Sequence, residues 1–117
     1  MSKFDKLNNR VITWAKSKGI LDKATPLAQL GKTIEEVLEL REALFAQNND
    51  LQTYTDSKGR TEDTASSIKY ELAGCMVTLM VQAKLQDIDI LECLDLEITK
   101  IEKRSGKMIL GTFVKND

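Results

Sequence analysis

Three glutamates, Glu36, Glu39 and Glu71, have the residue type and spacing best suited to chemistry. Glu36 and Glu39 are three apart in a stretch of helical periodicity, one turn from each other, and Glu35 lies beside Glu39. Glu71 opens the apolar run LAGCMVTLMV. Its carboxylate is expected in the interior or at a pocket mouth, where it needs a cation, a hydrogen bond or a raised pKa. A first-turn residue favoured by the helix dipole is the simpler alternative. Carboxylates gathered near neutral pH repel one another unless a hard cation sits among them. Mg2+ suits such a site because it takes oxygen ligands and keeps several waters. Lys100 and Arg104 are four apart on one helix face and together could bind phosphate oxygens; as last-turn cations they equally complement a helix dipole. Mg2+ held by carboxylates beside a basic helix end is suited to a polyphosphate whose leaving group gathers charge. On spacing alone, an ExxE pair is also common on solvated helix faces.

Composition removes many other chemistries. The 117 residues include no histidine, which excludes Ser-His-Asp and Cys-His nucleophiles, histidine general bases and histidine metal ligands. Seventeen basic residues against eighteen acidic ones give a net charge of −1, so no nucleic-acid partner is expected. No run of about 18 apolar residues marks a membrane span. The start, MSKFDKLNNR, lacks an apolar signal core, and Cys75 and Cys93 read as reduced core thiols in a cytosol-like compartment. One proline, six glycines and 5% aromatic residues point to helices rather than sheet.

Four helices are expected to position the candidate residues. Over Phe4 to Lys18, Phe4, Leu7, Val11, Trp14 and Ala15 recur at three- and four-residue spacing, and Gly19 sits where a C-terminal cap belongs. Trp14 is either a core anchor or a flat surface on which a base stacks. Thr25 and Pro26 suit the N-cap and first position of a second helix running to about Ala46. Its expected core face is Leu27, Leu30, Ile34, Val37, Leu38, Leu44 and Phe45, with a second stripe of Gln29, Lys32, Glu36 and Glu39 spanning about 80°. Residues 47–67 are polar and read as a long loop. Leu72 to Val81 is apolar on every side, which predicts a helix buried all round. One small bundle achieves that with difficulty, so a dimer or higher assembly is expected. A fourth helix runs from about Asp89 to Arg104, with Asp89 and Glu92 in a capping box and Gly106 as C-terminal cap. The tail KMILGTFVKND alternates weakly and is expected as an extended strand. The fold expected is a single all-α domain over 1–117, a bundle of four main helices with a short extended C-terminal tail.

The order of these residues resembles the MazG-like, all-α nucleoside triphosphate pyrophosphohydrolases, especially the short forms found in phages. That family is marked by an EExxE helix, a spacer and an ExxD helix. Here Glu35-Glu36-Val37-Leu38-Glu39 follows Gln29 and Lys32, and the second element reads Lys69-Tyr70-Glu71-Leu72-Ala73-Gly74-Cys75. The ending, Lys100-Ile101-Glu102-Lys103-Arg104-Ser105-Gly106-Lys107-Met108 and then Gly111-Thr112-Phe113-Val114-Lys115, resembles the tail of the short forms. So does the opening, Trp14-Ala15 with Gly19-Ile20-Leu21. The resemblance covers nearly the whole chain. It implies a helical bundle assembled as a homodimer or homotetramer that splits a nucleoside triphosphate into a monophosphate and pyrophosphate. It further implies Mg2+ on Glu36, Glu39 and Glu71, with Glu35 also in the catalytic set. Trp14, Gln29, Lys32, Lys100 and Arg104 would contact substrate.

One departure stands inside the second motif. The family's aspartate falls at position 74, where this chain has Gly74. A divergent enzyme, a nucleotide binder without turnover and an inactivated variant are all open readings. Asp63 and Glu62, in the preceding loop, have no spacing that would make either a replacement. If position 74 is a lost ligand, Gly74→Asp is expected to tighten Mg2+ binding.

Overall fold

Each long helix starts at a side-chain cap. Ser2 and Asp5 form a reciprocal capping box at the head of α1 (Lys3–Ser17). Gly19, with φ +75, takes the left-handed turn that ends α1 and leads into the single-turn α2 (Ile20–Lys23). Thr25 Oγ1 accepts from the Ala28 amide and Pro26 holds the first position of α3 (Pro26–Asn48). Asp63 caps α4 (Thr64–Leu85) through the Ser66 amide, and Asp89 caps α5 (Ile90–Ile101) through the Leu91 and Glu92 amides. Two antiparallel hairpins complete the fold: β1 (Thr53–Thr55) pairs with β2 (Thr61–Asp63), and β3 (Gly106–Ile109) with β4 (Thr112–Lys115). This computed structural model describes residues 1–116 and is mainly α-helical. Met1–Asp87 forms one compact unit, and the chain from Ile88 onward forms a second.

Several boundaries differ from those read in the sequence. The expected loop over 47–67 holds the β1–β2 hairpin and the first residues of α4. Glu71 therefore lies about two turns inside α4 rather than in its first turn, which removes the helix-dipole explanation for it. α5 ends at Ile101, so Arg104 follows the helix. Gly106 is a strand residue paired with Lys115, where a Cβ would overlap the Val114 carbonyl oxygen; cross-strand crowding, not a helix cap, requires the glycine. The tail turns back on itself through Leu110 and Gly111, both at positive φ, as two-residue hairpin turns demand.

Within the first unit α4 is the central helix, packed chiefly against α3 and also against α1. The α3–α4 seam is narrow because its buried side chains are small: Ala43 and Ala46 from α3, with Ser67, Thr78 and Val81 from α4. Gln29 is buried beside them and its Nε2 donates to the Thr78 carbonyl at 3.1 Å, tying the two helices together.

The expected core face of α3 faces outward instead. Leu27, Leu30, Ile34, Val37, Leu38, Leu44 and Phe45 are 44–79% exposed in the single chain. At 100° per residue, Gln29, Glu36, Glu39, Ala43 and Ala46 share the opposite side, so the stripe carrying the carboxylates is the one turned to α4. The run Leu72 to Val81 is likewise not buried all round, since Leu72, Met76 and Leu79 form an exposed stripe along α4. No helix among the described residues is long and apolar enough to cross a membrane.

Candidate functional site

Turning the α3 carboxylates inward brings them to Glu71. One carboxylate oxygen from each of Glu36, Glu39 and Glu71 lies within 4.8 Å of the other two, and all three residues are half-buried. Two oxygens bound to one octahedral Mg2+ stand roughly 3–4 Å apart, given ligand distances of about 2.0–2.1 Å. Small torsions of flexible glutamates close the difference.

Glu71 is the electrostatically strained member. Burial pushes its carboxyl up to about 8, with the carboxylates of Glu36 and Glu39 adding to the shift. Its Oε2 is shielded from solvent, and no donor among the described residues reaches it. At neutral pH without a cation, Glu71 therefore keeps its proton and can share it with Glu36 or Glu39. Burial first, then Glu36 and Glu71, also holds the nearby Cys75 thiol above its ordinary range, so it is not an activated nucleophile.

Gly74 lies on the same side of α4 and is in contact with Glu36. A Cβ at this position would overlap Glu36 Oε2 and come within 3.1 Å of its Cδ. The space an aspartate side chain would enter is already taken by the Glu36 carboxylate. A side chain at 74 therefore has to shift the Glu36 carboxylate, the far end of a flexible side chain, as it adds its own.

Cations flank the cluster. Lys32 Nζ is 2.8 Å from Glu35 Oε2, and Lys58 Nζ is 3.3 Å from Glu35 Oε1 and 3.4 Å from Glu39 Oε1. Hydrogen bonds from Lys32 and then Lys58 hold the Glu35 carboxyl below the usual range. Lys58 was not legible as a site residue. The available signal was the segment Asp56-Ser57-Lys58-Gly59-Arg60, whose turn-forming residues mark a hairpin tip facing some neighbour.

The remaining expected residues divide. Gln29 serves the α3–α4 seam. Asp63 caps α4, and Glu62 lies 3.8 Å from Arg60, so neither supplies a fourth carboxylate. Trp14 lines an apolar groove of about 630 Å3 with Val11, Ala73, Met76 and Val77. Those α4 residues lie on the side of the helix roughly opposite Glu71, so Trp14 and the carboxylates of one chain are not brought together. In the second unit, Lys100, Lys103, Arg104, Ser105, Lys115 and Asn116 line a concavity of about 680 Å3. Only Glu97 pairs with its cations among the described residues, at 3.8 Å from Lys100 and 3.9 Å from Arg104.

Comparisons of the chain with protein-family models, with curated proteins and with solved structures return no match.

Proposed function

We propose that this chain is a Mg2+-dependent nucleoside triphosphate pyrophosphohydrolase of the MazG-like helical type. The observation that carries the reading is the convergence of Glu36, Glu39 and Glu71, the last of which also has a solvent-shielded carboxylate oxygen without a donor. An all-oxygen, all-carboxylate donor set matches a hard divalent cation, and without histidine or an activated thiol nothing there favours a softer metal. A bound Mg2+ would supply charge neutralisation and Lewis acidity toward phosphate oxygens. Glu36, Glu39 and Glu71 hold the ion in this reading. Glu35, whose carboxyl is held below the usual range by Lys32 and Lys58, anchors those two lysines beside the cluster. The concavity that Lys100 and Arg104 line within the second unit is rich in cations and by itself suits phosphate oxygens.

The test is pyrophosphate release from each ribo- and deoxyribonucleoside triphosphate, with and without Mg2+. Mg2+-dependent release of pyrophosphate and monophosphate is the expected result. Release of inorganic phosphate instead, or no turnover of any triphosphate, would overturn the enzyme assignment. Gly74 favours a second reading, a nucleotide binder without turnover, because it leaves three carboxylates where the family pattern has four. Mg2+-dependent binding of a non-hydrolysable triphosphate by a protein that hydrolyses none would select it.

The same proposal includes a homodimer or homotetramer. Its support is the outward apolar stripe of α3, with Leu72, Met76 and Leu79 of α4 exposed as well. A second copy is the occupant expected for this surface. Light scattering at micromolar concentration should give at least twice the 13.2 kDa chain mass. Leu30→Lys with Ile34→Lys should shift it toward the monomer. A monomer in the unsubstituted protein would defeat this part.

A further inference from the structure

The tip of the β1–β2 hairpin is a built turn that delivers one lysine to α3. The Asp56 side chain is 8% exposed and its Oδ1 accepts from the Lys58 and Arg60 amides, both at 2.9 Å. Asp56 Oδ2 accepts from Arg60 Nε at 2.8 Å, and Gly59, at φ +80, takes the left-handed position. Beside this junction lies a hollow of about 510 Å3 that Glu35, Glu39, Glu42, Ser57 and Lys58 help to line. The polar contacts from the tip to α3 are the Lys58 ammonium on Glu35 and Glu39, and the Ser57 amide, which donates to Glu42 Oε2 at 3.3 Å.

Glu39 thus belongs to two sets at once: the three converging carboxylates and the Lys58 ion pair. A divalent cation on Glu39 would sit only a few ångströms from an ammonium held there, and like charges at that range repel strongly. Lys58 has a flexible four-carbon stem and an open hollow to move into.

We propose that Lys58 is a built-in counter-ion that a divalent cation displaces from Glu39, so that loading the carboxylates loosens the hold of the β1–β2 hairpin tip on α3, leaving Glu35 and Glu42 as its remaining partners there. The inference rests on the metal-binding reading of Glu36, Glu39 and Glu71. It makes the hairpin tip a device held more tightly with the site empty than with it loaded.

The experiment measures Mn2+ affinity by electron paramagnetic resonance on the full chain and on Lys58→Gln, Lys58→Arg and Lys32→Gln. Lys58→Gln should bind Mn2+ about three- to fivefold more tightly, the scale of a partly exposed ion pair, and Lys58→Arg should stay near the unsubstituted protein. Lys32→Gln removes the same charge from Glu35 but not from Glu39, so it should tighten binding by clearly less. Hydrogen exchange supplies the second readout: Mg2+ should speed exchange of the Ser57 amide, while the Lys58 amide, bonded within the turn to Asp56, changes little. Equal tightening by Lys32→Gln and Lys58→Gln would reduce the effect to general charge and overturn the latch. So would unchanged affinity in Lys58→Gln, or unchanged Ser57 exchange. Failure of every protein to bind Mn2+ would remove the latch and the metal-binding reading together, whereas binding without tightening removes the latch alone.

Discussion

Replacing Glu71 with glutamine is expected to reduce divalent-cation affinity at least 100-fold while making the metal-free protein less sensitive to alkaline pH. The first effect follows from losing an anionic ligand in a set of three, a larger change than the 10- to 100-fold cost typical of outer-sphere partners. The second follows from linkage. The folded-state value of about 8 lies above the ordinary carboxyl value of 4.5, so between those pH values the native state holds a proton that the unfolded chain has released. Stability from this group is fully present below about pH 4.5 and declines as pH rises, until above about 8 the folded protein carries the buried charge. Glutamine has no proton to lose. In chelator, the melting temperature of the unsubstituted protein should therefore fall more steeply from pH 5 to pH 9 than that of Glu71→Gln. Mg2+ should restore the unsubstituted protein at pH 8 and leave the variant unchanged. Calorimetric titrations in buffers of differing ionisation enthalpy should also show close to one proton released per cation bound near pH 7. Parallel pH slopes for the two proteins would refute the assignment of Glu71 as the protonated member of the cluster.

Gly74→Ala should move stability and cation binding in opposite directions. Alanine is favoured over glycine in a helix interior by up to about 1 kcal/mol, so the metal-free variant is expected to melt higher. The same methyl group would overlap the Glu36 carboxylate, and that flexible end is expected to turn off the α4 surface to make room. With one of three ligands displaced, Mg2+ affinity should drop about tenfold, by analogy with other losses of ligand support. Gly74→Asp brings in a carboxylate as it drives another out, so its affinity should recover relative to Gly74→Ala without greatly exceeding that of the unsubstituted protein. Melting curves with and without Mg2+ on all three proteins test the pair of effects. An alanine variant that binds Mg2+ as tightly as the unsubstituted chain would show that Glu36 does not depend on the bare α-carbon.

The parts of this structure that local chemistry determines were legible in the sequence. Thr25-Pro26, Asp89 and Gly19 act on their own backbone neighbours, and they start or end helices where their types predict. The shared face of Glu36 and Glu39 needs only the helical period. What periodicity does not carry is which face meets a neighbour. The leucine-rich side of α3 has the composition of a core, yet the seam with α4 is made by alanines and Gln29, because small side chains let two helices approach closely. The β1–β2 hairpin was hidden for a related reason: its strands are three residues each, too short to show alternation, and its stability comes from the Asp56 turn and from contacts with α3 and α4. Glu71 was legible as a residue needing compensation, but its depth within α4 depended on where that helix began.

The two-sidedness of α3 separates two properties that would otherwise constrain each other. Glu36 and Glu39 project from one side, while Leu30, Ile34 and Val37 project from the other, with the helix backbone between them. Side chains that share no contacts tend to contribute independently to free energy. Substitutions along the leucine side can therefore retune what the chain adheres to while the acidic side keeps its geometry, and the acidic side can gain or lose a ligand without altering adhesion. Position 74 fits that division, since the nearest atoms a side chain there would meet are those of Glu36: a lineage could change its carboxylate set there and keep the same outward surface throughout.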